Sequence, residues 1–495
     1  MIDKKFVISA ILLVLAVAVI SGCTGTSTSA PTMGGNVSAT DSAGGNVSIG
    51  QNATSGGAPP DGNVTTMGRP PSGTQHGGDI TTNSTAPAGG AAPGGSTASS
   101  YLVSGVYTVD GKAATETGQA YTSTAADVSS VYVANGGNLT LTDPTITKSG
   151  DSSSDDSSNF AGLNAGALAT NGSTMTINGG SVTTNANGAN GVFSTGTGTT
   201  VYLNDLMITT AGDSSRGVDV TYGGTIFGNN LTISTQGAHC AAIASDRGEG
   251  NEIITGGTMT TAGEGSPGIY CTGNFTVSNA TLKAAGSEAA VIEGKNSITL
   301  YNTTLSGAVK QGVMIYQSYS GDAGVGTGTF TMTGGSLTAA EGPLFYVTNT
   351  NALIKLTGAN LTGAGTLLKA SADSWGASGS NGGIVTFTAD SETLPGDIIA
   401  DNLSTITATL QNGTILTGSI NADNTAKSMI LTLDSASRWV VTGDSYLTSL
   451  TDSDGTLSNI KDNGHTIYYN SSDSASNWLG GKTVTLANGG KLTPK

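Results

Sequence analysis

The chain has 495 residues, a net charge of −16 and only 5% aromatic content. No basic run or patch suits nucleic acid. With 3 His and 3 Cys it shows no Cys/His metal spacing, nor a phosphate-cradling loop or an esterase serine elbow, so nothing in it asks for a cofactor.

Lys4 and Lys5 precede an apolar run from Phe6 to Ile20 that ends in Ile20-Ser21-Gly22-Cys23. The run has the length of a signal-peptide core and is shorter than the ~20 residues of a spanning helix. Residues 1–22 therefore read as an export signal. The last four residues resemble the lipobox of prokaryotic lipoproteins, which implies cleavage before Cys23 and lipid on its sulfur. The other readings are an uncleaved N-terminal span and a plain signal peptide with an incidental Cys. Either anchored reading leaves the bulk of the chain exported, at the cell surface.

Residues 23–100 are Gly, Ser, Thr, Ala, Pro and Asn with no apolar period. They cannot bury enough surface to offset ordering entropy, which predicts a disordered stalk. Asn-x-Ser/Thr triplets at Asn36, Asn46, Asn52, Asn63 and Asn83, and further on at Asn138, Asn230, Asn274 and Asn360, make glycosylation an expectation. Residues 101–127 read as an N-terminal cap or first coil, 128–450 as a regular solenoid, and 451–495 as the last coils and C-terminal cap.

The regular section repeats itself. Val192, Val218, Ile243, Ile269 and Val291 recur at steps of 26, 25, 26 and 22 by subtraction, each beside a small residue. Val313, Leu344 and Leu367 continue the series. A second marker follows: an apolar residue, a turn pair, then an apolar residue. Leu203 to Ile208, Ile254 to Met259, Val277 to Leu282 and Leu300 to Leu305 carry it, and Leu410 to Ile415 and Val441 to Tyr446 match it again. A period in the twenties with fixed-phase turns and Val/Ile/Thr-rich runs predicts an all-β parallel solenoid. About a dozen coils at ~4.8 Å would give a rod of roughly 60 Å. The 26-residue step sets Cys240 opposite Ser266, so Cys240 and Cys271 are expected free, with Cys271 in the core.

Loops at one phase of a solenoid project from one face. The varying turn gathers segments 246–249, 293–295, 316–326 and 371–383, with Asp246, Arg247, Glu249, Glu293, Lys295, Tyr316, Tyr319, Asp322 and Trp375. Flat rings beside carboxylates suit sugars, and paired carboxylates are the minimum for glycoside hydrolysis. Charges on such loops also pair with one another. Asp151, Asp155 and Asp156 offer weak oxygen ligands for calcium or a solvated acidic loop.

Ser437-Arg438-Trp439-Val440-Val441-Thr442-Gly443-Asp444-Ser445 is similar to a Trp-x-x-Thr-Gly-Asp/Asn-Ser signature of pertactin-like passengers. With the period and turn markers, residues 101–495 resemble the right-handed parallel β-helix, pectin-lyase-like proteins, and within them the adhesin and autotransporter-passenger type. The resemblance implies a non-enzymatic, adhesin-like or envelope-structural rod. No residues match the catalytic sets of pectate lyases or polygalacturonases. No membrane β-barrel pattern follows, so the N-terminal lipid would replace that anchor. The alternative is a glycan-binding or polysaccharide-cleaving protein, a lyase or glycoside hydrolase acting at the loop ridge.

Overall fold

The computed structural model describes residues 102–318 and 320–495. Cys23, the export signal and the stalk lie outside them. The described chain is a parallel β-solenoid of about 16 turns. That exceeds the expected dozen. At ~4.8 Å per turn the stack is about 75 Å long.

Each full coil has three strands, such as Val192–Thr195, Thr200–Asn204 and Met207–Thr210. The first strands form a 12-stranded sheet. Second and third strands share a 22-stranded sheet, because Thr225–Thr235 and Asn251–Thr261 run through the corner without a break. Alternate side chains point inward, and one apolar core runs from Val109 to Leu492. Threonines such as Thr232, Thr258, Thr281 and Thr304 stack outside, in register from coil to coil. Their branched side chains suit a pleated, half-exposed surface.

Register tests the repeat directly. Val192 pairs with Val218, Val218 with Ile243, and Ile243 with Ile269. Ile269 then pairs with Ala290, and Val291 lies beside Tyr270 instead. Val291 is thus one residue out of the predicted series and faces outward, since a slip of one reverses the face. Likewise Val313 pairs with Phe345, and Phe345 with Leu368, in place of the expected Leu344 and Leu367.

The turn marker is the corner between the second and third strands. Its third residue takes the left-handed conformation: Asp205 at φ 52°, Gly256 at 70°, Asn279 at 54°, Asn302 at 46° and Asn412 at 58°. Asn, Asp and Gly tolerate this region because β-branched and bulky side chains clash there. Val441 to Tyr446 matches the letters but runs from the end of strand Arg438–Val440 into strand Ser445–Leu447, and it has no left-handed residue. In the pertactin-like segment, Trp439 is fully buried and donates to Gly418 O at 2.9 Å.

Another corner is closed by side chains. Thr210, Thr235 and Thr261 donate to the carbonyls of Ser215, Cys240 and Ser266 at 2.7, 2.6 and 2.5 Å. Ser215, Cys240 and Ser266 in turn accept from the backbone N–H of the preceding coil at 2.9, 3.0 and 2.9 Å. Cys240 thus takes a serine's place, opposite Ser266 as expected. Cys240 and Cys271 are both free and buried, and Cys271 is in the core. At the C-terminal end the pattern changes: Val484–Thr485 pairs antiparallel with Lys491–Pro494, which stops parallel growth.

One inward position breaks the apolar rule. Glu252 lies in register between Ile226 and Phe275 and is fully buried. Neither carboxyl oxygen makes a hydrogen bond of normal geometry. Burial, then the charge of Asp219, push its pKa well above the usual range, and the Ala244 amide offsets only part of this.

Two predictions follow from the coil. Asn302→Val should cost about 1–2 kcal/mol in left-handed strain, and Asn302→Gly should be nearly neutral, both read by thermal unfolding. Glu252 has a raised folded pKa, so its favourable term is complete below the unfolded value near ~4.3 and is lost as pH rises through the folded value. Glu252→Leu should therefore stabilise the protein at pH 7 by about 2 kcal/mol and flatten the loss of melting temperature between pH 4 and 7.

Candidate functional site

The four variable turns do converge. Each follows a strand of the 12-stranded sheet: Ile243–Ser245, Ala290–Glu293, Val313–Tyr316 and Thr366–Ala370. Stacking at one phase brings their side chains together, as the sequence suggested. What they form is a closed seam more than an open ridge.

Glu293 is the clearest case. As the fourth residue of its strand it points outward, yet it is only 1% exposed. Its Oε2 accepts from Tyr270 at 2.9 Å and Tyr316 at 2.8 Å. Its Oε1 accepts from Ser318 and, at 3.5 Å, from Ser320. Burial raises its pKa, and the bonds from Ser318, Tyr316 and Tyr270 pull it back in part. The same burial, with Glu293 alongside, pushes both tyrosines well above their ordinary range. Trp375 closes the stack, with its ring 4.9 Å from that of Tyr316. These rings belong to an outer apolar cluster of Ala241, Ala244, Tyr270, Val291, Met314, Tyr316, Tyr346 and Trp375. Trp375 is 9% exposed, so it acts as a wedge and offers no flat platform to solvent.

The charged residues are also engaged. Asp322 accepts from Arg247 Nε at 2.9 Å and Nη2 at 2.5 Å. The Arg247 guanidinium lies 3.8 Å over the Phe160 ring. Lys295 pairs with Glu249 at 2.7 Å on the exposed rim. Asp246 is buried against Arg216, with Nη2 at 2.9 Å from Oδ2. Burial pushes Asp246 up to about 6, against the pull of Arg216. Tyr319 lies outside the described residues.

Sequence reading missed Arg216, Asp219 and Tyr270. Arg216 and Asp219 flank the Gly217-Val218 repeat marker, and Asp219 occupies an outward column between Phe193 and Ala244. A scarce cation next to an acid at a strand position was the available signal. Asp219 is fully buried, and Arg216 Nε lies 3.7 Å from its Oδ2.

The acidic segment after the first coils is a short helix, Asp155–Ala161. Ser154 caps it by accepting from Ser157 N at 3.2 Å, and Gly162 ends it at φ 71°. Asp155 and Asp156 occupy its first turn, where negative charge suits the helix dipole. Asp151 Oδ1 instead accepts from Asn187 N at 2.9 Å. The three carboxylates therefore have separate structural roles, and among the described residues no group of three His, Cys, Asp or Glu converges on a metal position.

An open depression of about 490 Å³ lies beyond Trp375, lined by Asp373, Ser374, Ser378, Asn381 and Leu403 among others. Asp373 there accepts from Tyr346 at 2.8 Å. Among the described residues no helix is long and apolar enough to cross a membrane. Comparison with protein-family models, curated proteins and solved structures gives no match.

Removing the wedge should show what it holds. Trp375→Ala is expected to cost about 3–4 kcal/mol as a large-to-small change. Thermal unfolding should report the loss, and quenching by acrylamide should show Tyr316 newly accessible.

Proposed function

We propose that this is a non-enzymatic, lipid-anchored surface protein whose solenoid serves as a rigid rod for adhesion or envelope structure. One observation carries the reading: Glu293, Asp246 and Asp322 are already bound to internal partners. Glycoside cleavage needs two carboxylates free to flank a bond. Here the acids hold loops to the sheet. The continuous core and in-register stack supply stiffness. The anchor and the adhesin type rest on the Ile20–Cys23 and Ser437–Ser445 resemblances.

Glycan binding without cleavage is a second reading, favoured by the open depression beside Asp373 and Asn381. Exposed Asn138 and Asn360 would accept N-linked sugar on such an exported chain.

The full chain and its Cys23→Ser form should be tested for reducing-sugar release from a polysaccharide panel and for binding on a glycan array. No release above the Glu293→Gln and Asp322→Asn backgrounds is expected. Turnover abolished by either substitution would overturn the proposal. Metabolic lipid label should enter the wild type and be absent from Cys23→Ser.

A further inference from the structure

The helix Asp155–Ala161 lies across the outer face of the 12-stranded sheet and is held there by polar contacts. Thr221 donates to Phe160 O at 2.8 Å, and Asn190 donates to Ser158 O at 3.1 Å. Arg216 Nη1 donates to Asn159 Oδ1. Gly162, just past the helix, rests on Leu168 and Phe193, where a Cβ would come within 2.6 and 2.7 Å of their side chains. Ala165, Leu168 and Phe193 form a small apolar cluster of their own.

The cation that ties down the helix also serves two buried acids. Arg216 contacts Asp246 at 2.9 Å and Asp219 at 3.7 Å. Neither oxygen of Asp219 makes a hydrogen bond of normal geometry. One guanidinium balances one carboxylate. A second buried negative charge, helped only by the Val220 amide, is strongly unfavourable, so Asp219 favours its protonated form while the site is closed.

We propose that the helix Asp155–Ala161 is a releasable strap, locked while Asp219 and Asp246 carry one negative charge between them and freed when both ionise. Release uncovers the Leu168–Phe193 patch. Arg216 is faced by Asp219, Asp246, the Cys240 thiol and Tyr270. Arg247, stacked on Phe160, is faced by Asp322, Tyr222 and Asp156. Glu252 is buried near Asp219 with its own pKa pushed upward, and His239 lies near Arg216. None of these supplies a second free cation for Asp219. The pKa of Asp219 is raised by burial and then by Asp246. A raised value in the closed form means that closure is favoured at low pH and lost as pH rises through that value.

Amide hydrogen exchange of residues 155–162 in the full chain, corrected for the intrinsic rate, tests this from pH 5 to pH 9. Wild-type protection should fall about tenfold per pH unit above the Asp219 transition, the slope of a single linked proton. Asp219→Asn should remove that slope. Asp246→Asn leaves one carboxylate for Arg216 and should also flatten it, which covers the case in which Asp219→Asn fails to fold. Asn159→Ala should lower protection at every pH. Constant wild-type protection, or a slope as steep as wild type in either Asn variant, would overturn the strap.

Discussion

Everything in this molecule depends on one coil lying in register on the next. Parallel hydrogen bonding joins each strand to its equivalents above and below, so a side chain's environment is set by residues about 25 positions away. Inward columns stay apolar because each member must pack against its neighbours on both sides. Glu252 shows the cost of an exception: set between Ile226 and Phe275, its carboxyl is buried, and burial pushes its pKa well upward.

The corners obey the same rule by different means. One is turned by a left-handed residue, which restricts it to Asn, Asp or Gly at most rungs. Another is closed by a threonine hydroxyl on a carbonyl and by a Ser or Cys side chain on the next backbone N–H. Sharp turns leave backbone groups unpaired, and these ladders satisfy them without adding a residue. Cys240 is accommodated because its sulfur can serve as a weak acceptor and donor where serine would otherwise stand.

The outer face of the first sheet departs most from regularity, and it carries the chemistry. Insertions at the following corner fold back over it, and the helix Asp155–Ala161 covers its earlier rungs. Aromatic rings and carboxyl groups that would be solvated on a plain solenoid are sealed there. Sealing explains why the pKa values of Glu293, Asp246, Tyr270 and Tyr316 all move upward: in each, burial disfavours the charged form. It also bears on function, because an acid already bonded to hydroxyls or to arginine is poorly placed to act on a ligand.

The sequence by itself determined the winding, the all-β parallel stack, the fixed-phase turn and the pair of free thiols, because each follows from a period and a residue type repeated many times. The phase of the four loops was legible too. Only the tertiary structure decided which side of the sheet Val291 and Glu293 face, that Asp246 belongs to Arg216 and Asp322 to Arg247, and that Asp155–Ala161 is a helix lying on the sheet. The reason is physical: strand faces alternate with period two, so a one-residue error in spacing reverses every side chain. The partner of a buried charge is fixed by three-dimensional packing across several coils, for which no local pattern stands.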